Sequence, residues 1–213
     1  MIDALHPYPV QWIDRWRLHN GKAVTVRPVL PQDQGMERDF VASGLTQHSR
    51  YQRFQIGLRE LPESLARYFT NIDYHDHFAL IAELFEDLGH VQVGDARFVR
   101  DGTASESAEF GIAVADAWQG LGLGRRLLQA TMAAALANGV NRLYGDVLRD
   151  NLPMLALVKA HGFTPRRHPD DARLLRVQQA LELPAPLTAP RTPHPEGARA
   201  WGLPRRQNPA IGW

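Results

Sequence analysis

The stretch from Phe110 to Leu128 reads FGIAVADAWQGLGLGRRLL. Its first residues are apolar and favour a strand, its middle has glycine at 120, 122 and 124, and its end begins a helical apolar pattern. This order predicts a strand, a glycine-rich turn and a helix that starts directly after the turn. Glycine allows the backbone to approach a ligand closely, and the free N–H groups of a first helical turn attract anions. The turn is therefore a candidate pyrophosphate site.

Three interpretations of this turn are open. A turn that only packs the helix on the strand explains the glycines poorly, because three alternating glycines have a large cost in chain entropy. A dinucleotide site gains support from Asp146, which lies at the end of the next strand, where a ribose-binding acid is expected. However, Arg125 occupies the place of the third glycine of G-x-G-x-x-G, and the chain shows one βαβ unit rather than several. Arg125 and Arg126 suit charge-assisted bonds to phosphate.

The third interpretation rests on a resemblance. The run Gln119-Gly120-Leu121-Gly122-Leu123-Gly124 is similar to the Q/R-x-x-G-x-G/A acyl-CoA-binding motif of the GNAT acetyltransferase superfamily. The similarity continues to Asn151, which leads a helix, and to Gly162-Phe163 after that helix. Most of the chain, from Pro7 to Leu181, also resembles the acetyltransferase portion of the Pat-type bacterial protein-lysine acetyltransferases. The residues of the N-terminal half that show this likeness are Pro7-Tyr8-Pro9, Gly21, Arg27-Pro28, Ser49-Arg50-Tyr51, Arg53-Phe54, Leu61, Ile72-Asp73-Tyr74 and Ala79-Leu80.

The resemblance implies a mixed α/β fold, an α+β arrangement with one mixed sheet, whose two central strands splay apart. In the GNAT fold the pantetheine of acetyl-CoA enters the gap, here between Glu109–Val114 and Arg142–Leu148. Backbone groups of Ile112 and Val114 are then expected to bind the pantetheine as an added strand would, and Asn151 to reach it from the following helix. The pyrophosphate is expected on backbone N–H groups of the turn, at Gln119, Gly120, Leu121, Gly122, Leu123, Gly124 and Arg125.

The chemistry requires a neutral amine, close alignment with the thioester and stabilisation of negative charge on its carbonyl oxygen. The chain contains no cysteine, so we expect direct attack by the amine. Glu109 is the expected general base, because Pat-type enzymes place a glutamate there in a similar Ala-Glu-Phe context. Asp146 is the second candidate. The alternative for Glu109 is a solvated residue at the start of a strand.

The general acid departs from the resemblance. Many GNAT enzymes have a tyrosine four residues before the glycine of the closing "GF", where this chain has Val158. Either water protonates the leaving thiolate or another group does so, with Tyr144 and His161 as candidates. His161 also suits an interaction with the dipole at the end of its helix.

Composition limits the function classes. The 213 residues, 44% hydrophobic and 22% charged, are typical of one globular domain with a short tail. The net charge of +1 creates no overall field for nucleic acid or an anionic membrane. Without cysteine there are no disulfides, zinc–thiolate sites or iron–sulfur clusters. No signal peptide or membrane-spanning run is evident, so we expect a cytoplasmic protein. We also expect no metal at His75-Asp76-His77, because histidines two apart on a strand point to opposite faces.

Hydrophobic periodicity places further elements around the turn. The predicted strands are Ala23–Pro28, Phe78–Phe85, Val91–Val99, Glu109–Val114, Arg142–Leu148 and Arg173–Leu181. The predicted helices are Asp33–Ser43, Pro62–Thr70, Arg125–Ala137 and Leu152–His161. The residues Arg50, Tyr51, Arg53 and Phe54 lie in a region that borders the acceptor site in GNAT folds. Their arginines and aromatics also suit RNA stacking, but an acceptor-side or packing role is expected in a nearly neutral chain.

Three parts of the chain are expected. Residues 1–22 form an extension that packs on the body, residues 23–181 form the acetyltransferase domain, and residues 182–213 form a proline-rich tail. The tail holds seven of the fifteen prolines and no sustained apolar period. It is therefore expected to be extended, or to dock through Trp201 and Trp213.

The sequence thus predicts an N-acetyltransferase that moves an acetyl group from acetyl-CoA to a primary amine, either a protein lysine or a small-molecule amine. The alternative is a GNAT-like domain that binds acyl-CoA without catalysis, as a sensor or partner module. Val158 favours that alternative, as does a length too short for the acyl-CoA-synthetase-like region of many Pat enzymes. A dinucleotide-binding oxidoreductase is the third choice. No oligomeric state is indicated.

Overall fold

One mixed sheet of eight strands organises the described part of the chain, which in this computed structural model comprises residues 7–86, 89–103 and 105–182. The strands are β1 (Asp14–Arg17), β2 (Ala23–Pro28), β3 (His77–Glu86), β4 (Gly89–Arg100), β5 (Ser107–Val114), β6 (Arg142–Leu148), β7 (Thr164–Arg167) and β8 (Leu174–Ala180). Their order across the sheet is β1-β2-β3-β4-β5-β6-β8-β7.

Five α-helices connect and cover these strands. They are α1 (Gln34–Asp39), α2 (Gln47–Phe54), α3 (Glu63–Thr70), α4 (Leu123–Ala137) and α5 (Leu152–Ala160). Short 3-10 turns occur at Val10–Trp12, Pro31–Asp33 and Asp116–Trp118, and a π-turn at Phe40–Gly44. Within these residues, no helix has both the length and the apolar character needed to cross a membrane.

The sheet splays at its centre. Strands β5 and β6 run parallel, but they pair only from Ser107 with Arg142 to Glu109 with Tyr144. Beyond this point β5 remains paired with β4 as far as Val114, and β6 with β8 as far as Leu148. A wedge-shaped gap therefore opens between the two strands, with its vertex at Glu109. The predicted fold class, a mixed α/β sheet with splayed central strands, is confirmed.

The two faces of the sheet carry different helices. On one face α4 buries Leu123, Leu127 and Leu128 against the strands. On the other face Arg97 of β4 donates to Glu37 of α1 over 2.9 Å and to the carbonyl oxygen of Phe69 in α3 over 3.0 Å. These buried charge-assisted bonds fix α1 and α3 on the sheet next to the gap.

A second buried carboxylate completes this cluster. Asp95 accepts from Nε of Arg97 over 3.0 Å, and Arg97 lies between Asp95 and Glu37. Burial, together with the charge of Asp95, raises the pKa of Glu37 to about 7. The side chain of Gln92 is also buried, with no hydrogen-bond partner among the described residues.

Two strands were not predicted from the sequence. β1 reads DRWR, in which only Trp16 is buried, and β7 reads TPRR, in which every residue is exposed. Neither has the apolar alternation of a half-buried strand, because both lie at sheet edges and are held by cross-strand pairing. β1 also lies inside the segment 1–22 that was expected to be an extension.

The predicted helix Asp33–Ser43 forms three consecutive segments. The chain passes from the 3-10 turn Pro31–Asp33 to α1 and then to the π-turn Phe40–Gly44. Phe40 and Val41 are both buried in this wider turn. The compact unit of the chain ends at Glu182. Most of the predicted tail, with Trp201 and Trp213, lies outside the described residues.

Candidate active site

The gap between β5 and β6 is a cavity of about 480 Å³. Its walls come from β5, the glycine-rich turn, the first turn of α4, β6, α5 and α2. Most of the predicted site residues line it, namely Glu109, Ile112, Val114, Gln119, Gly120, Gly122, Gly124, Arg125, Asp146 and Asn151. Leu121 and Leu123 are not among the lining residues, and Leu123 is buried in the core.

The glycine-rich turn forms an anion cradle from its backbone. Gly120 and Gly122 adopt φ angles of 73° and 86°, in the left-handed region that favours glycine. Gly122 is the N-cap of α4 and has no side chain to cap the helix. Within the described residues, the N–H groups from Gly120 to Arg125 have no backbone partner outside the helix. These groups, at the positive end of the α4 dipole, are available to a phosphate.

Two contacts hold the turn in place. The amide nitrogen Nε2 of Gln119 donates to the carbonyl oxygen of Val114 over 3.1 Å, which ties the turn to the end of β5. On the other side, the backbone N–H of His19 donates to the carbonyl oxygen of Leu121 over 3.2 Å. Gln119 therefore uses its side chain to fix the turn, and its side-chain amide has a structural partner.

His19 is a cavity residue that the sequence did not identify. It lies at the end of the β1–β2 hairpin, and a Cβ atom at Gly122 would be 3.0 Å from its Nε2. The Asn20-Gly21 pair predicted the turn after it. However, nothing local to residues 18–21 indicates that the hairpin packs against a turn about a hundred residues later.

Asn151 starts the last helix at the far wall of the cavity. Its Oδ1 accepts from the backbone N–H of Met154 over 3.2 Å, which is an N-cap bond, and Pro153 occupies the first turn of α5. Among the described residues, the Nδ2 group of Asn151 donates no hydrogen bond. The predicted asparagine-led helix is thus present, and its leading residue lines the cavity.

Glu109 lies at the vertex of the gap. Its side chain is exposed through the cavity and has no hydrogen-bond or ion-pair partner within the described residues. Desolvation by the surrounding protein raises the pKa of Glu109, and the nearby charge of Asp146 raises it further. Arg53 and Arg176 oppose this effect. Glu109 is therefore an unpaired carboxylate with an elevated pKa.

Asp146, the second predicted base, accepts several hydrogen bonds from neighbouring side chains. Its carboxylate accepts two bonds of 2.9 Å from Arg176 and one of 3.1 Å from Nε2 of His168. The Nδ1 atom of His168 accepts the backbone N–H groups of Asp170 and Asp171, so its proton is assigned to Nε2. Asp146 and Glu109 face the same cavity, but only Glu109 has a free carboxylate.

Comparison with known proteins identifies the family. A family model described as the acetyltransferase (GNAT) family matches residues 47–163, more than half of the chain. The chain belongs to the GNAT acetyltransferase family. It is an N-acetyltransferase with acetyl-CoA as the acyl donor, which confirms the predicted activity and the predicted donor. The findings do not specifically support the non-catalytic alternative.

Relatives of this GNAT protein cover most of it. It is 31% identical over 170 residues to the acetyltransferase PA5475 of Pseudomonas aeruginosa, which covers 79% of this chain and 90% of that protein. It is 34% identical over 157 residues to the acetyltransferase Pat of Mycolicibacterium smegmatis, 73% of this chain but 44% of that protein. The GNAT domain of S. lividans PAT has a similar structure, with a TM-score of 0.75, 25% identity and coverage of 82% of this chain and 100% of that domain.

Two groups considered as general acids in this GNAT protein lie away from the cavity lining. The hydroxyl of Tyr144 donates to Asp101 over 2.6 Å, and desolvation and this carboxylate raise its pKa. Nδ1 of His161 lies 2.8 Å from the carbonyl oxygen of Leu157. Val158 is buried. Among the described residues of the cavity, none of these three side chains is present.

The histidine pair is engaged locally. Nδ1 of His75 lies 2.8 Å from Asp76, which also binds Arg100, and His77 starts β3. Within the described ranges, no group of three or more potential ligands is arranged to hold a metal ion.

Proposed function

We propose that this GNAT enzyme transfers the acetyl group to a primary amine by direct attack, with Glu109 as the general base. The observation that carries this proposal is the contrast between the two carboxylates of the cavity. Glu109 has no hydrogen-bond or ion-pair partner in the described part of the chain and has an elevated pKa, whereas Asp146 is bound by Arg176 and His168. A base must accept a proton during the reaction, and an unpaired carboxylate does so without breaking an ion pair.

The cavity fits acetyl-CoA in its backbone chemistry. In this proposal the N–H groups from Gly120 to Arg125 hold the pyrophosphate, with the exposed Arg125 side chain adding charge, whereas the N–H of Gln119 already donates to the carbonyl oxygen of Asp116. The open edge of β5 at Ile112 and Val114 binds the pantetheine, and Asn151 contacts it from α5. The carbonyl oxygen of Val114 already accepts from Gln119, so its N–H is the group left for the ligand. Acetyl-CoA supplies the thioester carbonyl that the amine attacks.

The proton and bond changes follow from this placement. Glu109 takes a proton from the ammonium, directly or through one water, and leaves a neutral amine. The nitrogen then bonds to the carbonyl carbon, the C–S bond breaks, and the sulfur leaves as the CoA thiolate. The second proton of the amine passes to solvent or to this sulfur, because the described cavity wall offers no tyrosine in the place of Val158. Confinement of both reactants in the gap supplies alignment.

The acceptor class is part of the proposal. The likeness to Pat-type protein-lysine acetyltransferases supports a lysine side chain, and hence protein acetylation, as one acceptor. A small-molecule amine is the other. A cytoplasmic location, where CoA thioesters are made, also belongs to the proposal.

The test separates binding from turnover. Wild type, Glu109→Gln and Asp146→Asn are compared for thermal stabilisation by acetyl-CoA and for CoA release with lysine peptides and small amines. Glu109→Gln is expected to keep the stabilisation and to lose about 10²- to 10⁴-fold in kcat. The control is Glu63→Gln, which removes an exposed carboxylate on α3. Unchanged turnover in Glu109→Gln would reject it as the base, and acetyl-CoA binding without turnover on any amine would favour a sensor.

A further inference from the structure

Arg53 is a positively charged residue that lines the cavity between β5 and β6, and the proposed mechanism gives it no role. It lies on α2, and its side chain is 18% exposed. Its guanidinium lies close to the backbone of β5 at Gly111. A Cβ atom at Gly111 would be 2.5 Å from Nη2 and 2.7 Å from Cζ of Arg53. The glycine thus leaves the space that the guanidinium fills, two residues from Glu109.

The N–H groups of the Arg53 guanidinium have no hydrogen-bond acceptor among the described residues. Its nearest carboxylate oxygen is Oδ1 of Asp95 at 4.0 Å, beyond hydrogen-bond distance, and Asp95 is already bound by Arg97. Its other contacts are aromatic, with Cζ 5.2 Å from the ring centroid of Phe54 and 6.0 Å from that of Phe69. Among the described residues it donates no hydrogen bond.

Arg50 on the same helix provides a contrast. It donates to the carbonyl oxygens of Leu58 over 3.1 Å and of Leu45 over 2.6 Å, so it holds loops around α2. Arg50 has the bonds of a structural arginine, whereas Arg53 does not. Part of the Arg53 side chain is exposed in the cavity, and desolvation by the surrounding protein lowers the pKa of Arg53. A ligand in the cavity can therefore supply acceptors for the N–H groups of Arg53.

The geometry of a guanidinium selects the ligand. Its planar fork matches the two oxygens of a carboxylate, whereas an acetyl group offers one neutral carbonyl oxygen.

We propose that Arg53 is a carboxylate-binding residue of the acyl-transfer cavity, so that the enzyme prefers a substrate with a carboxylate near the reacting centre. The carboxylate is carried either by the acyl group, as in a dicarboxylic acyl-CoA, or by the acceptor, as in an α-amino acid. This inference rests on the proposed site of transfer, and it names the substrate class of that site.

The first experiment addresses the acyl group. Dissociation constants of succinyl-CoA and butyryl-CoA, which have acyl chains of equal carbon number, are measured by calorimetry with wild type, Arg53→Gln and Arg53→Lys. If the acyl group carries the carboxylate, wild type binds succinyl-CoA about 10- to 100-fold more tightly than butyryl-CoA. Arg53→Gln abolishes this preference and Arg53→Lys keeps part of it. Arg67→Gln, which removes an exposed arginine of α3, leaves the preference unchanged.

The second experiment addresses the acceptor. CoA release from acetyl-CoA is measured with the common L-amino acids and with their α-carboxamides. A preference for the free acid that disappears in Arg53→Gln identifies the acceptor as the source. Thermal denaturation checks that each variant is folded, because Arg53→Gln removes the ring contacts of Arg53 with Phe54 and Phe69 and its 4.0 Å ion pair with Asp95.

The outcomes are separable from those of the proposed function. If wild type transfers acetyl groups but shows no carboxylate preference in either experiment, the inference is overturned and the proposed function stands. Equal losses of Arg53→Gln on carboxylate and neutral substrates also overturn it. If no amine is acetylated and succinyl-CoA still binds in an Arg53-dependent way, the inference stands and the proposed function fails.

Discussion

Glu109 and Tyr144 face each other as the last residue pair that joins β5 to β6. The hydroxyl of Tyr144 donates a hydrogen bond to Asp101, and this bond fixes the Tyr144 side chain. The carboxylate of Glu109 faces the cavity that opens directly beyond the pair. The end of strand pairing therefore sets where the candidate base meets the cavity.

The first prediction concerns pH. The pKa of Glu109 is raised by desolvation and by Asp146, so the rise in kcat/KM with pH should begin above the ordinary range of a glutamate carboxyl. Asp146→Asn removes a negative charge and frees the cation Arg176, and both changes lower the pKa of Glu109. The acid limb of the profile should therefore move to lower pH. An unmoved limb would show that another group controls it.

The second prediction concerns the anion cradle. Gly122→Ala places a side chain at a φ of 86° and within 3.0 Å of His19. The left-handed backbone costs about 1–2 kcal/mol in the free energy of unfolding, measured by urea denaturation. Acetyl-CoA binding should weaken about tenfold or more, because the displaced turn loses a charge-assisted bond.

Gly139→Ala is the matched control for that variant. Gly139 follows α4 with a φ of 78° and no atom within 4 Å of an added Cβ. It should lose a similar free energy of unfolding and keep its affinity for acetyl-CoA. If the two variants bind acetyl-CoA with equal affinity, acetyl-CoA does not bind at the glycine-rich turn.

The third prediction uses two helix caps. Asn151→Ala removes the N-cap oxygen that accepts from the backbone N–H of Met154 in α5. Thr46→Ala removes the oxygen that accepts from the backbone N–H of Ser49 in α2. Each should lower the free energy of unfolding by about 1 kcal/mol. Only Asn151 lines the cavity, so only Asn151→Ala should also weaken acetyl-CoA binding, about 3- to 10-fold. A similar loss of affinity in both variants would assign it to helix stability.

The fourth prediction concerns stability. The pKa of Glu37 is raised to about 7, so between about pH 4.3 and 7 the native state binds more protons than the unfolded chain at this residue. This contribution lowers the free energy of unfolding as pH rises. Burial lowers the pKa of His77 to about 4, and this residue therefore raises the free energy of unfolding as pH rises. The contribution of His77 is the same in wild type and in Glu37→Gln. As the pH rises from about 5 to 7, the free energy of unfolding should therefore increase more in Glu37→Gln than in wild type, as measured by urea denaturation. Equal changes in the two proteins would contradict the assignment.

Much of the fold could be predicted from local pattern. β2 and β6 have the predicted ends, and α4 begins two residues before the predicted Arg125 because Gly122 acts as its N-cap. β1 and β7 could not be predicted, because edge strands depend on partners distant in the sequence. α2 was not among the predicted helices, because its sequence QHSRYQRF has few apolar residues and none of its residues is buried.

The candidate site was predictable where it consists of contiguous backbone. The glycine-rich turn and the asparagine-led helix are both present. The environment of each side chain was not predictable, because it depends on register. Asp146 meets Arg176 only through the pairing of β6 with β8, and Arg53 meets Gly111 only through the seating of α2 on β5. Among the described residues, these relationships determine that Glu109 has a carboxylate without a hydrogen-bond partner and that Arg53 donates no hydrogen bond.

The cavity divides its recognition between main-chain and side-chain atoms. The cradle at the start of α4 and the open edge of β5 present peptide groups, which every substitution that preserves the backbone retains. The other end, with Glu109, Asp146 and Arg53, presents side chains from three different elements. If acetyl-CoA binds as proposed, evolution can exchange residues at that end and change the chemistry the protein accepts, while the same peptide groups continue to bind the pyrophosphate of the donor.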